Sequence, residues 1–369
     1  MTSKQRVKAA IDHRQPDRVP VDFSARSEVV DKLRAVLEVG PHESLEERLG
    51  VDLRGVGPRF RGETAPLCYA DPTVEVTEDN IHRDIWGVGF KPNQTSCGFY
   101  MDLASSPLRH ITSIDELDRH RWPTADLWDY TEIADQARAQ TDYWIVAHSR
   151  GIFEISWFLR GFEEFMTDLA CNPDLANAIM DRVQAYLMEK ARRILEAGEG
   201  RIDMMEYNDD VGAQDGMLIA PDTWRRYLKP RMASDAASAD AASGFIRMCK
   251  AFGVAIRYHS CGSIRPILPD LIEIGVDVLN PVQALAAGMD PEDLKGAFGD
   301  RLTFNGGIDT QGLLPYATAE EVRAATRRLI EVVGRDGGLI LAPSHVFQDD
   351  VPVENIVAVY ETALGVALM

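Results

Sequence analysis

His259 and Cys261 stand one residue apart in the run RYHSCGSI, directly after the apolar stretch Val254-Ala255-Ile256. In an extended segment residues i and i+2 project to the same face, so both side chains leave the end of a strand in one direction. An imidazole beside a thiolate suits a borderline divalent metal, zinc above others. A structural zinc site closes with two further Cys or His ligands nearby. Here there is no CxxC and Cys261 is the last cysteine of the chain, which favours an open site that admits a substrate. The tripeptide alone also fits a histidine hydrogen-bonded in a core beside a small apolar thiol.

Groups of this kind need elements that carry them to one place. From residue 1 to about 140 the pattern is irregular: a short helix over Lys4 to Asp12, a turn at Gln15-Pro16-Asp17, a strand over Val19 to Phe23 and an amphipathic helix over Ser27 to Leu37. Short apolar pieces with Gly and Pro follow, including VDLRGVGPRFRG and DIWGVGFKPN, the pattern of a loop-rich cap. After Thr141 apolar strands alternate with helices: YWIVAHS, then Glu163 to Ala197; IDMMEY, then Pro221 to Ala233 and beyond; VAIRYHS, then Ile264 to Ile274. VDVLNPV, RLTFNGGI and LILAPS continue the series, with helices over Ala319 to Val333 and Glu354 to Leu364. This rhythm spells parallel βαβ units. With strands near Val19 and Val51 about eight units result, so the expected fold is an α/β (β/α)₈ TIM barrel with an elaborated N-terminal region, residues 1–369 forming a single domain. A doubly wound sheet is the alternative, without a GxGxxG turn to make it dinucleotide-binding.

Barrel active sites lie at the C-terminal ends of the strands. The polar residues that end each apolar run are then the candidates: His148; Glu206, Asn208, Asp209 and Asp210; His259 and Cys261; Asn280 and Gln283; Asn305 and Asp309; Ser344, His345 and Gln348. His345 is the natural third metal ligand, or else hydrogen-bonds a substrate. Glu206, Asp209 and Asp210 are either oxygen ligands and outer carboxylates or N-terminal helix caps, Asp210 leaning to the structural role. Asn208, Asn280, Gln283, Asn305, Asp309 and Gln348 are substrate-binding candidates, and Glu206, Asp209 and His148 the candidate proton carriers. The glycines of Asn305-Gly306-Gly307 admit close approach of a ligand or simply make a turn. Phe153, Trp157 and Phe158 read as packing, Arg59 and Arg61 as a solvated loop, and Cys68 and Cys97 as passive thiols.

Composition bounds the partners. At 45% hydrophobic and 26% charged residues the chain reads as globular, and a formal net charge of −19 without a basic block argues against nucleic acid. Five cysteines without framework spacing imply a reducing compartment, the cytoplasm. The N-terminal sequence lacks an apolar h-region and no long uncharged apolar stretch occurs, so neither export signal nor membrane span is expected. Apolar pieces in the N-terminal half are candidates for a homodimer contact.

The series AIDHRQPDRVPVDF, EYNDDVGAQDGMLIAPDTWRRYLKP, YHSCGSIRPILPDLIEIGVDVLNPVQ, FNGGIDTQ and LAPSHVFQDDVPVENIVAVYE resembles the uroporphyrinogen decarboxylase superfamily. It is most similar to the methyltransferase branch, which includes the methylcobamide:coenzyme M methyltransferases. The likeness spans nearly the whole chain and is densest from about 200 to 362. It implies a (β/α)₈ barrel. The true decarboxylases carry an N-terminal Arg-Gln-Ala-Gly-Arg-Tyr stretch that this chain lacks. The methyltransferases hold zinc with a His-x-Cys pair and a later cysteine. His259 and Cys261 match the pair, whereas Ser344 and His345 stand where the last cysteine belongs, which puts coenzyme M in doubt as acceptor. The implied activity is zinc-dependent methyl transfer between a small methylated compound or thiol and the cobalt of a corrinoid, with O-demethylation as a variant. The two HxxG matches, His148 to Gly151 and His259 to Gly262, have Val146 and Arg257 in place of the Asp of a cobalamin-binding signature, so the corrinoid would ride on a separate protein. Two readings compete: a metal-free decarboxylase or lyase that uses Glu206 or Asp209 as acid, and a non-catalytic binder.

Overall fold

The computed structural model describes residues 1–62, 71–95, 98–233 and 244–369. Cys68, Cys97 and the expected continuation of the helix beyond Ala233 lie outside these residues. Seven strands form one parallel sheet: β1 (Leu53–Val56), β2 (Trp144–Arg150), β3 (Met204–Asn208), β4 (Ala255–His259), β5 (Val278–Val282), β6 (Thr303–Ile308) and β7 (Leu339–Pro343). Each pairs with the next in chain order, so the reversal that defines a doubly wound sheet is absent from it.

The two edges of this sheet meet through the N-terminal segment. Leu341 donates its N–H to Pro20 O at 2.8 Å and Asp22 donates to Leu341 O at 2.9 Å, while Asp52, just before β1, donates to Val21 O at 2.9 Å. Residues 20–22 therefore act as the eighth stave. The expected strand over Val19 to Phe23 is reduced to a single parallel bridge between Val21 and Leu341. Inside the barrel the lower layer is apolar: Leu53, Trp144, Val146, Met204, Val278 and Ile340 pack together with Val7 from the helix Ser3–Ile11. That plug leaves only the opposite, C-terminal rim open to a ligand.

Local chemistry explains where the elements depart from expectation. The long helix expected over Glu163 to Ala197 is two helices, Phe162–Cys171 and Pro173–Ala197. Asn172 precedes a proline, which disfavours the α region there, and Pro173 then opens the second helix without losing a hydrogen bond. Pro266 similarly confines the stretch after Cys261 to a 3₁₀ turn, Arg265–Ile267, before the helix Leu268–Glu273. A helix Pro291–Phe298 that the hydropathy pattern did not suggest is opened by Asp290, whose carboxylate accepts from Glu292 and Asp293 N–H at 3.0 Å each.

The loop-rich N-terminal part contains a four-stranded antiparallel sheet built from Thr73–Val76, His82–Asp84, Gly89–Thr95 and Gly98–Ser105. Phe90 and Trp86 anchor it edge-on to Phe158 and Tyr186 on barrel helices. Its last strand reaches the rim, where the Tyr100 hydroxyl donates to Gln348 at 2.7 Å.

Candidate active site

Strand alternation decides which side chains enter the barrel. Glu206, Asn208 and Asp210 share one parity, as do Arg257, His259 and Cys261, and all are carried to the mouth on neighbouring strands β3 and β4. Tyr207 and Asp209 have the other parity and turn outward. The Asp209 carboxylate accepts from Phe153 and Glu154 N–H at 3.1 and 2.8 Å, at the first turn of the helix Ile152–Arg160. Gly151 makes this possible, because a Cβ there would lie 2.1 Å from the Asp209 side chain. Burial pushes the Asp209 carboxyl up to about 7.

Three donor groups converge at the mouth: Asp210, His259 and Cys261 offer ligand atoms that lie within 4.8 Å of one another. His259 Nε2 is 3.8 Å from both Cys261 Sγ and Asp210 Oδ1. Tetrahedral zinc with ordinary bond lengths sets nitrogen and sulfur about 3.6 Å apart, and nitrogen and oxygen about 3.4 Å apart. The two contacts of His259 thus fit the metal with adjustments of a few tenths of an ångström, and the third pair, Cys261 and Asp210, lies within 4.8 Å. His345, expected as the third ligand, does not belong to this group. It follows β7, three strands round from β4, and faces the same cavity from across the mouth. Burial and the nearby His259 lower its affinity for a proton. Asp210, for which the sequence favours a structural role, instead lies within ligand distance of His259 and Cys261.

A chain of polar contacts fixes the orientation of His259. Its Nδ1 lies 2.6 Å from Asn280 Oδ1, and Asn280 Nδ2 donates to Asn305 Oδ1 at 2.7 Å. Asn280 thus presents an oxygen, which only a protonated Nδ1 can satisfy, so Nε2 keeps its lone pair toward Asp210 and Cys261. Such an outer contact is the usual device for aiming a metal-bound histidine. Cys261 is placed by its own N–H, which donates to Asp210 Oδ1 at 2.8 Å. The next residue, Gly262, has a φ of +78°, and a Cβ there would meet the backbone of Ala213 at 2.6 Å. Burial, then the charges of Asp210 and Glu154, push the thiol up, so a thiolate at this position needs a cation beside it.

Below the donor set lies an ion lattice that hydropathy patterns hid. Arg257 contacts Glu206 at 2.5 Å, Asp22 at 2.9 Å and Asn305 Oδ1 at 3.0 Å. Burial alone would raise the Glu206 carboxyl, but Arg257 and then His148 hold it well below the usual carboxylate range. His148 Nδ1 sits 3.1 Å from Glu206 Oε1. Arg257 was legible as a charge inside an apolar strand; Asp22, brought in by barrel closure, carried no local signal.

The remaining candidates divide by placement. Asn208 and Asn280 line the main cavity, of about 490 Å³, together with His148, Asp210, His259 and His345. Asn305 is fully buried among Arg257, Asn280 and Ile340 O, beneath the site instead of in it. Gln283 accepts from Gly262 N–H at 2.8 Å, and with Gln348, Cys261 and His345 it lines a second, more open cavity of about 630 Å³. Asp309 is spent on its own turn, accepting from Gln311, Gly312 and Leu313 N–H.

A closed parallel barrel with its polar groups gathered at the C-terminal rim is the architecture of the (β/α)₈ class. Within that class the chain belongs to the uroporphyrinogen decarboxylase (URO-D) family, whose model matches residues 104–365. The structure is similar to a methyltransferase from Methanosarcina mazei, with a TM-score of 0.68, 20% sequence identity and 99% of each chain covered. A Xanthomonas albilineans dihydropteroate synthase aligns over 41% of this chain and 53% of its own, at 13% identity and a TM-score of 0.27. No curated protein sequence matches the chain. Among the described residues no helix is long and apolar enough to cross a membrane.

Proposed function

We propose that this chain is a zinc-dependent methyltransferase that moves a methyl group between a small methylated compound or thiol and the cobalt of a corrinoid on a separate protein. The observation that carries the reading is the convergence of one oxygen, one nitrogen and one sulfur donor at the barrel mouth. Three protein ligands leave a fourth position for substrate, the pattern of a catalytic zinc. Asp210, His259 and Cys261 would hold the ion. Zinc at this place supplies Lewis acidity toward an ether oxygen or a thiol. Asn280 would keep the His259 lone pair directed at the ion, and the cavity beside it leaves room for a small substrate. The likeness of the whole fold to a methyltransferase supports the same reading.

The metal-free lyase loses both of its named acids. Glu206 is held ionised by Arg257, and Asp209 faces a helix terminus away from the cavity. Elemental analysis of protein purified without added metal tests the proposal. About one zinc per chain is expected in the wild type, with loss in Asp210→Asn, His259→Ala and Cys261→Ser and retention in His345→Ala. A wild type that stays metal-free after reconstitution, with activity indifferent to chelators, would overturn it.

A further inference from the structure

The geometry points to His148 as the general acid that protonates the oxygen leaving group of a methyl ether, with Glu206 and Arg257 as its positioning residues. This inference rests on the proposed methyl transfer and names its substrate class. An ionised carboxylate only accepts hydrogen bonds, so the 3.1 Å contact from His148 to Glu206 Oε1 assigns the proton of that bond to Nδ1. Nε2 is therefore the nitrogen left for chemistry. The His148 side chain is 53% exposed although it lies inside the barrel, because it faces the main cavity. On the neighbouring strand Gly55, which pairs with Val146, lies beside it, and a Cβ added there would stay 3.6 Å from His148 Nε2. Gly55 itself presents only a hydrogen to that edge.

Three features separate this imidazole from a packing histidine. Its partner Glu206 is 8% exposed and is locked from the other side by Arg257, itself tied to Asp22 and Asn305. A buried carboxylate that orients an imidazole whose far nitrogen is open to solvent follows the base-orienter logic of proton-transferring sites. His148 also shares its cavity with Asp210 and His259 of the donor set. In the sheet register His148 pairs with Glu206, and Asn208, two residues on, pairs with His259. Two strand spacings across and two residues along put their backbones about 12 Å apart. Both imidazoles reach inward from there, which leaves room between them for a small molecule.

The bond between methyl carbon and ether oxygen breaks with its electron pair passing to oxygen. The carbon is taken by the electron pair of a cobalt(I) corrinoid, and His148, acting as an imidazolium protonated on both nitrogens, gives its Nε2 proton to the oxygen while Nδ1 keeps its own toward Glu206. An alcohol or phenol leaves, and His148 regains its proton from water through the open cavity. A methyl thioether needs no such acid, because a thiolate leaves unprotonated at neutral pH far more readily than an alkoxide.

The zinc-loaded full-length chain, cob(I)alamin as methyl acceptor and a series of aryl methyl ethers test the idea, with thioanisole as sulfur control and methylcobalamin absorbance as readout. In His148→Asn the rate with anisole is expected to fall 10²- to 10⁴-fold, the range for a general acid. The loss should shrink to a few-fold with pentafluoroanisole, whose phenolate leaves unaided. Glu206→Gln should show the same dependence on leaving group in weaker form. Its ¹⁵N spectrum should show the Nδ1–H tautomer of His148 depleted relative to wild type, a readout independent of turnover. Equal losses across the series, or none, overturn the assignment and leave methyl transfer standing. Methyl transfer from thioanisole without transfer from any ether overturns the ether class alone. A zinc-loaded wild type that methylates cobalamin from neither overturns the proposed function, and this inference with it.

Discussion

Asn280 receives the Nδ1 proton of His259 at 2.6 Å while its own amide nitrogen is spent on Asn305. This single amide therefore sets the tautomer of the histidine in the donor set. Asn280→Ala should weaken zinc binding by about 10- to 100-fold, the usual effect of removing such an outer contact. Competition against a zinc chelator would measure it, and an unchanged affinity would remove Asn280 from the account.

Asp209 and Asp210 are adjacent in sequence and opposite in role. Asp210→Asn should release metal with little change in thermal midpoint. Asp209→Ala should keep the metal and lower stability by about 1–2 kcal/mol or more, because two helix N–H groups lose their acceptor. Paired metal analysis and denaturant titration decide it; the reverse pattern would mean that strand parity has been misjudged.

Arg257 is a buried guanidinium shared by Glu206 and Asp22. Arg257→Ala leaves the Glu206 charge unpaired and should cost about 3–5 kcal/mol, whereas the double change Arg257→Met with Glu206→Gln should recover much of that loss. Urea midpoints of the two variants make the comparison. Equal destabilisation would show that packing, and not charge, sets the effect.

Stability should depend on pH through Asp84. Burial, then repulsion from Asp71, push its carboxyl from 3.8 up to about 7. Its folded-state pKa lies above the unfolded value, so the folded form binds the proton more tightly. Stability from this group is greatest below about pH 4 and falls as pH rises through 7, by on the order of 4 kcal/mol at most. Asp209 acts with the same sign. Glu206 runs the other way: its folded pKa is depressed, so its contribution persists down to strongly acid pH. Asp84→Asn keeps the single oxygen that accepts from Trp86 and Val88 N–H. It should flatten the decline in urea midpoint between pH 5 and 8; a slope matching wild type would contradict the assignment.

Much of this arrangement was legible from the chain. The alternation of apolar strands and helices pointed to the barrel, and strand ends carry His148, His259 and Asn280 to one cavity, with Cys261 beside His259. The pairing of Asp209 with the site was a parity error open to correction by counting in twos from Glu206. His345 was assigned by its place after a strand, which fixes the rim but not the distance across it. The antiparallel sheet was hidden because its strands, Thr73–Val76, His82–Asp84, Gly89–Thr95 and Gly98–Ser105, mix Gly, Pro and charged residues with apolar ones. Asp22 was beyond reach, since nothing near it in sequence announces a partner 235 residues away.

That distance has a consequence for how the protein comes into being. Residues 20–22 leave the ribosome long before their hydrogen-bonding partner Leu341 is made. Until then the segment has only one of its two neighbours, and closing so long a loop is slow. Asp22 takes its place beside Arg257 only when the ring is complete. A chain that stalls before β7 can pair most of its strands and still hold Glu206 and His148 without their full support, so competence arrives with the final strand.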